Sequence, residues 1–144
     1  MHRALWRVVV CGVVLVSLAA CSSGPAAPSG GLDGTWLGTM TDSVSGPGTL
    51  KLVLTQTSAG VAGTFVLAFA DVSQNRSGAA GGTLAASVLV MTLTPTAPLV
   101  CSPGVTLSGT VSTTMTVSGN RMTGTYSAFT CGGAIGGNID VTHQ

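Results

Sequence analysis

The chain has 144 residues, of which five are basic, four are acidic and only 6% are charged in all. No basic segment is present that would contact nucleic-acid phosphates, so the sequence excludes a nucleic-acid partner. The length suits one globular domain. Threonine and valine are abundant and glutamate is absent, which favours strands over helices.

The N-terminal segment has the pattern of an export signal. A basic start, Met1–Arg7, precedes the apolar run Val8–Leu18, which is too short to span ~30 Å of hydrocarbon as a helix. The run ends in Leu18-Ala19-Ala20-Cys21, which resembles the lipobox of bacterial lipoprotein signal peptides. An ordinary secretory cleavage site is the alternative interpretation.

The lipobox resemblance implies a processed protein that is anchored by lipid. Residues 1–20 are then removed, and Cys21 becomes the first residue and carries acyl groups such as palmitate, several of which anchor more stably than one. Residues 21–31 are rich in glycine, serine and proline, which predicts a flexible tether. The resemblance places the protein in the cell envelope. Because Ser22 follows the cysteine, and not the aspartate that marks retention in the inner membrane, it would lie on the outer membrane where the host has one, facing the periplasm or the surface.

Residues 32–144 form the predicted domain, in which eight segments are predicted to be strands. Apolar and polar side chains alternate most clearly in Val105–Val117, as in a half-buried strand, whereas Gly78–Leu84 is a weak, glycine-rich strand. No window after Cys21 has the apolar spacing of a helix. The predicted strands are Asp33–Met40, Thr49–Gln56, Val61–Phe69, Gly78–Leu84, Val88–Thr94, Val105–Val117, Arg121–Thr130 and Ile135–Thr142.

The connections between these segments are too short for parallel crossovers, so the strands are expected to be antiparallel. Closing the sheet removes its two open edges. The predicted fold is therefore all-β, an antiparallel up-and-down eight-stranded barrel. In such a meander alternate connections lie at the same end, and the longer ones collect at one end, which we call the mouth. These longer loops are Asp42–Gly48, Asp71–Ser77, Pro95–Gly104 and Cys131–Gly133.

Two cysteines follow the lipobox, Cys101 and Cys131, and both fall on loops of the mouth. In an exported chain two cysteines indicate one disulfide, worth roughly 3–4 kcal/mol on the chain-entropy model. Two free thiols are the alternative. A metal site built from these cysteines and His143 is disfavoured because His143 lies near the tail, so no metal is predicted.

The first strand opens with Gly34-Thr35-Trp36 and later hairpins repeat the Gly-Thr-aromatic pattern, which is similar to the avidin and lipocalin group of small barrels. The resemblance implies that Trp36 packs over the closed end of the barrel, opposite the mouth. Lipocalins pair this tryptophan with a basic residue late in the barrel, and only His143 is available for that role. Avidins line their biotin site with further tryptophans, which are absent here, so biotin binding is not implied.

The sequence predicts no enzyme and no cofactor. Nucleophilic catalysis needs a base close to the nucleophile, and the only histidine after the lipobox is His143, at the penultimate position. The four aspartates are scattered, and no glycine-rich stretch precedes a helix that would bind phosphate. Tyr126 is interpreted as a wall side chain of the barrel.

Two functions stay open. The first is a binding module that holds a small apolar or amphipathic ligand at the mouth, with Gln74, Asn75 and Arg76 as polar candidates and Phe69 below them. The alternative is a structural or protein-interaction lipoprotein, protease inhibitors included, that acts on an envelope protein through loop Pro95–Gly104. A barrel embedded in the membrane is disfavoured because the aromatic girdles of such barrels are missing.

Overall fold

The computed structural model describes residues 31–144, which form a closed antiparallel β-barrel, so the predicted fold class is confirmed. The lipobox with Cys21, and all but the last residue of the predicted tether, lie outside the described residues. The strands are β1 (Gly34–Asp42), β2 (Gly46–Thr57), β3 (Gly60–Phe69), β4 (Arg76–Ala85), β5 (Val88–Pro95), β6 (Leu99–Ser102), β7 (Val105–Leu107), β8 (Val111–Ser118), β9 (Arg121–Thr130) and β10 (Gly133–His143). The barrel order is β1-β10-β9-β8-β5-β4-β3-β2, and β6 and β7 form a separate two-stranded sheet.

Side-chain alternation explains why this sequence forms strands. In β8 every odd-numbered side chain is buried and every even-numbered one is exposed. The exposed positions of β8 all carry serine or threonine, whose side chains suit a solvated pleated surface. One threonine, Thr113, faces inward, and its hydroxyl donates to the Met91 carbonyl at 3.3 Å.

One predicted strand is wrong. Val105–Val117 is divided at residues 108–110 into β7 and β8, and β7 pairs with β6 outside the barrel. Gly109 has a φ of +65°, a left-handed conformation that a continuous strand does not contain. A Cβ at Gly109 would lie 3.2 Å from Leu99 Cγ, so this backbone also lies close to the β6–β7 hairpin. The predicted loop Pro95–Gly104 therefore contains a strand of its own.

Apolar side chains fill the barrel interior below the mouth. The largest fully buried ones include Trp36, Phe65, Leu50, Leu52, Met91 and Met115. The inward glycines do not leave space for a ligand. A Cβ at Gly63 would overlap the Val53 carbonyl oxygen, and one at Gly124 would overlap that of Thr114. These glycines allow neighbouring strands to approach closely, so the interior is a packed core.

The closed end of the barrel is sealed by Trp36, as the resemblance implied, and by the segment that precedes β1. Leu32 is fully buried; its N–H donates to Gln56 Oε1 and its carbonyl accepts from Trp36 Nε1, both at 3.0 Å. The His143 ring meets Trp36 edge-on with centroids 4.9 Å apart, and His143 Nε2 lies 2.9 Å from the Asp33 carbonyl oxygen. Both ends of the described chain are thereby fixed at this end.

The only helical segment within residues 31–144 is a single 3-10 turn at Val72–Gln74. No helix in that range is long and apolar enough to cross a membrane.

Candidate functional site: the mouth of the barrel

The mouth is formed by four connections, which join β1 to β2, β3 to β4, β5 to β8 and β9 to β10. The third contains the β6–β7 hairpin. The predicted disulfide is confirmed: Cys101 of β6 is bonded to Cys131 of the β9–β10 turn, with an S–S distance of 2.06 Å and a sequence separation of 30. The two strands of the hairpin hydrogen-bond only to each other. The disulfide therefore fixes an otherwise separate hairpin over the mouth.

A small pocket opens between the loops of the mouth. Its volume is about 60 Å³, whereas a cavity that takes up benzene measures about 150 Å³. Apolar side chains form much of its wall, among them Met40, Leu67, Val111 and Ala128. The pocket accordingly admits a group about as large as one short aliphatic side chain, and not a drug-sized molecule.

Tyr126 lines this pocket and contributes a buried hydroxyl group to it. The residue is only 5% exposed, and its hydroxyl makes no hydrogen bond of ordinary geometry among residues 31–144; the one group that interacts with it is the Asp42 carboxylate. Burial, the negative charge of Asp42 and the hydrogen-bond interaction with its carboxylate raise the pKa of Tyr126 well above its ordinary value. A buried donor without a partner costs about 1–3 kcal/mol, and such groups are rare in native proteins.

Asp42 lies at the end of β1, where the chain turns into β2, and also lines the pocket. Burial raises its pKa, but hydrogen bonds from the backbone N–H groups of Ser45 and Val44, with smaller contributions from the Ser45 and Tyr126 side chains, outweigh burial and lower the pKa below its ordinary value. Both N–H groups donate to Oδ1, the Val44 bond at 2.6 Å. The mouth therefore holds one fixed carboxylate beside a phenol that remains neutral.

Three of the four predicted ligand residues, Phe69, Gln74 and Arg76, line the mouth pocket together. Arg76 Nη1 donates to the carbonyls of Ser73 and Asn75, both at 2.7 Å, which holds the guanidinium at the pocket. The fourth residue, Asn75, does not line this pocket. Its Oδ1 accepts from the Phe69 N–H at 2.8 Å, so its side chain closes the β3–β4 connection.

Two wider depressions adjoin the pocket. One, of about 290 Å³, is bordered by residues 75–77 and 95–100. The other, of about 350 Å³, is bordered by residues that include Val100 and the β9–β10 turn. Arg76 and Leu99 border both depressions and also the pocket, so the three hollows form one continuous surface.

Exposed apolar side chains surround the same surface. Val44, Val72, Val100 and Phe129 are 72–78% exposed, whereas the other large hydrophobic residues that are exposed reach only 39–51%. Each of the four lies on a different connection of the mouth or, for Phe129, at the end of β9 that leads into one. We call these four residues the apolar rim.

Sequence reasoning missed the contributions of Tyr126 and Leu99 to the site. Tyr126 was correctly expected in the barrel wall, and its inward position on β9 was a usable signal, because an inward phenol requires a hydrogen-bond partner. Leu99 gave no such signal. It lies in a segment predicted to be a loop, and it reaches the pocket only because the β6–β7 hairpin forms.

Comparison with protein-family models, with curated proteins and with solved structures finds no match to this chain.

Proposed function

We propose that this protein is a binding module without catalytic activity, and that its mouth pocket takes up a small apolar or amphipathic group. The group enters between Leu67, Val111 and Ala128. It accepts a hydrogen bond from Tyr126, and Arg76 contacts its polar end. The observation that carries this proposal is the buried hydroxyl of Tyr126, which makes no hydrogen bond of ordinary geometry among residues 31–144 and lines a pocket whose wall is largely apolar. A ligand that accepts this bond offsets a cost that the free protein bears.

The proposal includes an envelope location with a lipid on Cys21, as in the bacterial lipoproteins that Leu18–Cys21 resembles. It is supported by the lipobox-like Leu18–Cys21 and by the entry of the chain at the closed end, where Leu32 is buried. An anchor that precedes Gly31 then lies opposite the mouth, which faces away from the membrane. Cys21→Ser should release the protein from membranes, and mass spectrometry of the wild-type N-terminal peptide should find acyl groups on Cys21.

Pocket binding is tested by titrating the purified full-length chain with isobutanol, whose branched alkyl group and hydroxyl match the pocket. We expect amide chemical shifts to change at β3, β8 and β9 residues around the pocket. Ala128→Leu fills the pocket and should abolish these changes. Ala134→Leu is the matched control, because Ala134 is exposed on the neighbouring strand β10. Unchanged spectra for the wild-type chain, or equal binding by both variants, would contradict the proposal.

A protein partner is the second candidate, and the apolar rim is the observation that favours it. Four highly exposed apolar side chains at one end of a small barrel are typical of an interaction surface. The packed interior also favours a partner that binds across the loops rather than inside the barrel. Crosslinking in intact cells through a photoreactive group at Val44 should capture an envelope protein, whereas the same group at Val90, on the barrel wall, should not.

A further inference from the structure

The β6–β7 hairpin has a property that the rest of the barrel lacks. The eight barrel strands each have a hydrogen-bonded neighbour on both sides, because the barrel is closed. β6 and β7 pair with each other on one side only. Among residues 31–144 they are the strands whose second edge is open along its length, and an open edge offers unpaired N–H and C=O groups to another chain.

The surroundings of this hairpin distinguish its two edges. The depressions of about 290 and 350 Å³ both border Leu99 and Val100 of β6. No residue of β7 borders either one. The space beside the hairpin therefore lies along β6, where a strand added at its open edge has room.

The open edge of β6 and the adjoining pocket together indicate which kind of molecule binds here. Backbone N–H and C=O groups in a row are matched by another backbone in the extended conformation, as in β-strand addition. The adjoining pocket of about 60 Å³ has the size of one side chain, and alternate side chains of an added strand point to the same face. A lipid or a small alcohol matches the pocket but not the open edge.

We infer that the mouth binds an extended polypeptide segment, which pairs as an added strand with the open edge of β6 and inserts one small side chain with a hydroxyl, such as threonine, into the mouth pocket, where its oxygen accepts a hydrogen bond from Tyr126. This inference rests on the proposed binding at the mouth and names the class of partner. The apolar rim contacts the flanking residues of the segment, and Leu99 separates the inserted side chain from the paired backbone.

The experiment uses two synthetic peptides of one sequence, alternating valine and threonine with lysine at each end, one of them N-methylated at every backbone amide. The unmodified peptide should slow amide hydrogen exchange in β6 of the full-length chain by about tenfold or more when it is bound at saturation. The N-methylated peptide should not slow it, because its methyl groups keep the peptide carbonyls from reaching the β6 N–H groups and because it has no N–H to donate to the β6 carbonyls.

Two matched variants test the position of the added strand. Val100→Lys places a charge in β6, whereas Val90→Lys places one at an exposed position of the barrel wall, outside the apolar rim. Val100→Lys should weaken binding of the unmodified peptide about tenfold and Val90→Lys less than about twofold. Equal binding of both peptides, or equal effects of both variants, would overturn the inference.

Two further outcomes separate this inference from the proposed function. If isobutanol binds at the pocket but neither peptide slows exchange in β6, the polypeptide inference fails and pocket binding stands. If neither probe binds, both proposals fail. If sedimentation of the protein alone shows a dimer whose β6 amides are already protected, the open edge belongs to a second copy and the inference is overturned.

Discussion

The two ends of this barrel differ in how completely their polar and apolar groups are matched. At the closed end Trp36 is 1% exposed, its indole N–H is bonded, and the terminal segments are hydrogen-bonded across the opening. At the mouth the Tyr126 hydroxyl makes no hydrogen bond of ordinary geometry within the described chain, and four apolar side chains are exposed to solvent. At the closed end the protein's own residues bury the apolar side chains and satisfy the polar atoms. At the mouth a buried hydroxyl and four exposed apolar side chains are available for contact with a second molecule.

This difference shows that burial alone does not separate structural from functional aromatic residues. Trp36 and Tyr126 are both almost fully buried, and both occur in a Gly-Thr-aromatic sequence. They differ in hydrogen bonding: the indole N–H of Trp36 is bonded, whereas the hydroxyl of Tyr126 makes no bond of ordinary geometry within the described chain. A satisfied buried polar group supports the fold, whereas one that lacks a partner is a reason to look for a ligand.

The largest expected effect is a loss of stability when an aromatic side chain is removed at the closed end, compared with the same change at the mouth. Trp36→Ala should lower the free energy of unfolding by about 3–5 kcal/mol, because it removes a fully buried side chain and leaves a cavity. Phe69→Ala at the mouth should cost about 1 kcal/mol or less, because Phe69 is only half-buried and little packing is lost. Urea unfolding of both variants measures the difference. Equal losses would show that the mouth is as tightly packed as the closed end.

The next effect concerns the disulfide of the mouth. Replacing Cys101 and Cys131 together by serine should lower the free energy of unfolding by roughly 3 kcal/mol, as expected for a closed loop of this length. Hydrogen exchange should become faster in β6 and β7, because the barrel strands do not hydrogen-bond to them. It should stay slow in β2 and β9 under native conditions. Loss of protection throughout the barrel would mean that the hairpin is integral to the fold.

A smaller effect of opposite sign is expected at Tyr126. Tyr126→Phe should raise the free energy of unfolding by up to about 1 kcal/mol, because it deletes a buried hydroxyl that makes no hydrogen bond of ordinary geometry within the described chain. Thr113→Val is the control, since it deletes an inward hydroxyl that is bonded to Met91 and should lower that free energy by about 1 kcal/mol. If Tyr126→Phe is destabilising instead, the hydroxyl has a partner in solution, and the support for a ligand at this position is lost.

The sequence predicted the barrel well because the alternation of inward and outward side chains can be recognised within each short segment. Val111, Met115 and Val117 repeat at period two and all face the core, and short turns require antiparallel neighbours. The mouth was predicted only in part. Loop position identified Phe69, Gln74 and Arg76, but which loops meet over a pocket depends on strand tilt and register, which no single segment encodes.

The β6–β7 hairpin could not be predicted for a related reason. Its strands have only four and three residues, too few for alternation to stand out in a segment with proline and glycine at both ends. The pairing of Cys101 with Cys131 could be predicted from the sequence, but the structural consequence of the disulfide could not. Cys101 is bonded from within a strand, so the bond positions an ordered hairpin rather than a flexible loop.

The smallest expected effect is a shift in the titration of Tyr126, which reports directly on the environment of its phenol. Tyr126 is the only tyrosine of the chain, so phenolate absorbance reports on it alone. Burial and the Asp42 charge raise its pKa in the folded state, so its phenolate band should be absent at pH values slightly above 10, where an unfolded chain ionises. The folded state then holds a proton that the unfolded state releases, and stability should fall as pH rises above about 10.

Asp42→Asn gives this titration its control. The amide oxygen of asparagine still accepts hydrogen bonds from Val44 and Ser45, but the negative charge is gone. The pKa of Tyr126 should fall and yet stay above its ordinary value, because burial contributes more than the charge. Ionisation of the wild-type phenol near pH 10 would show that water reaches Tyr126. The mouth would then be an open, solvated end, without the unsatisfied donor that distinguishes it from the closed end.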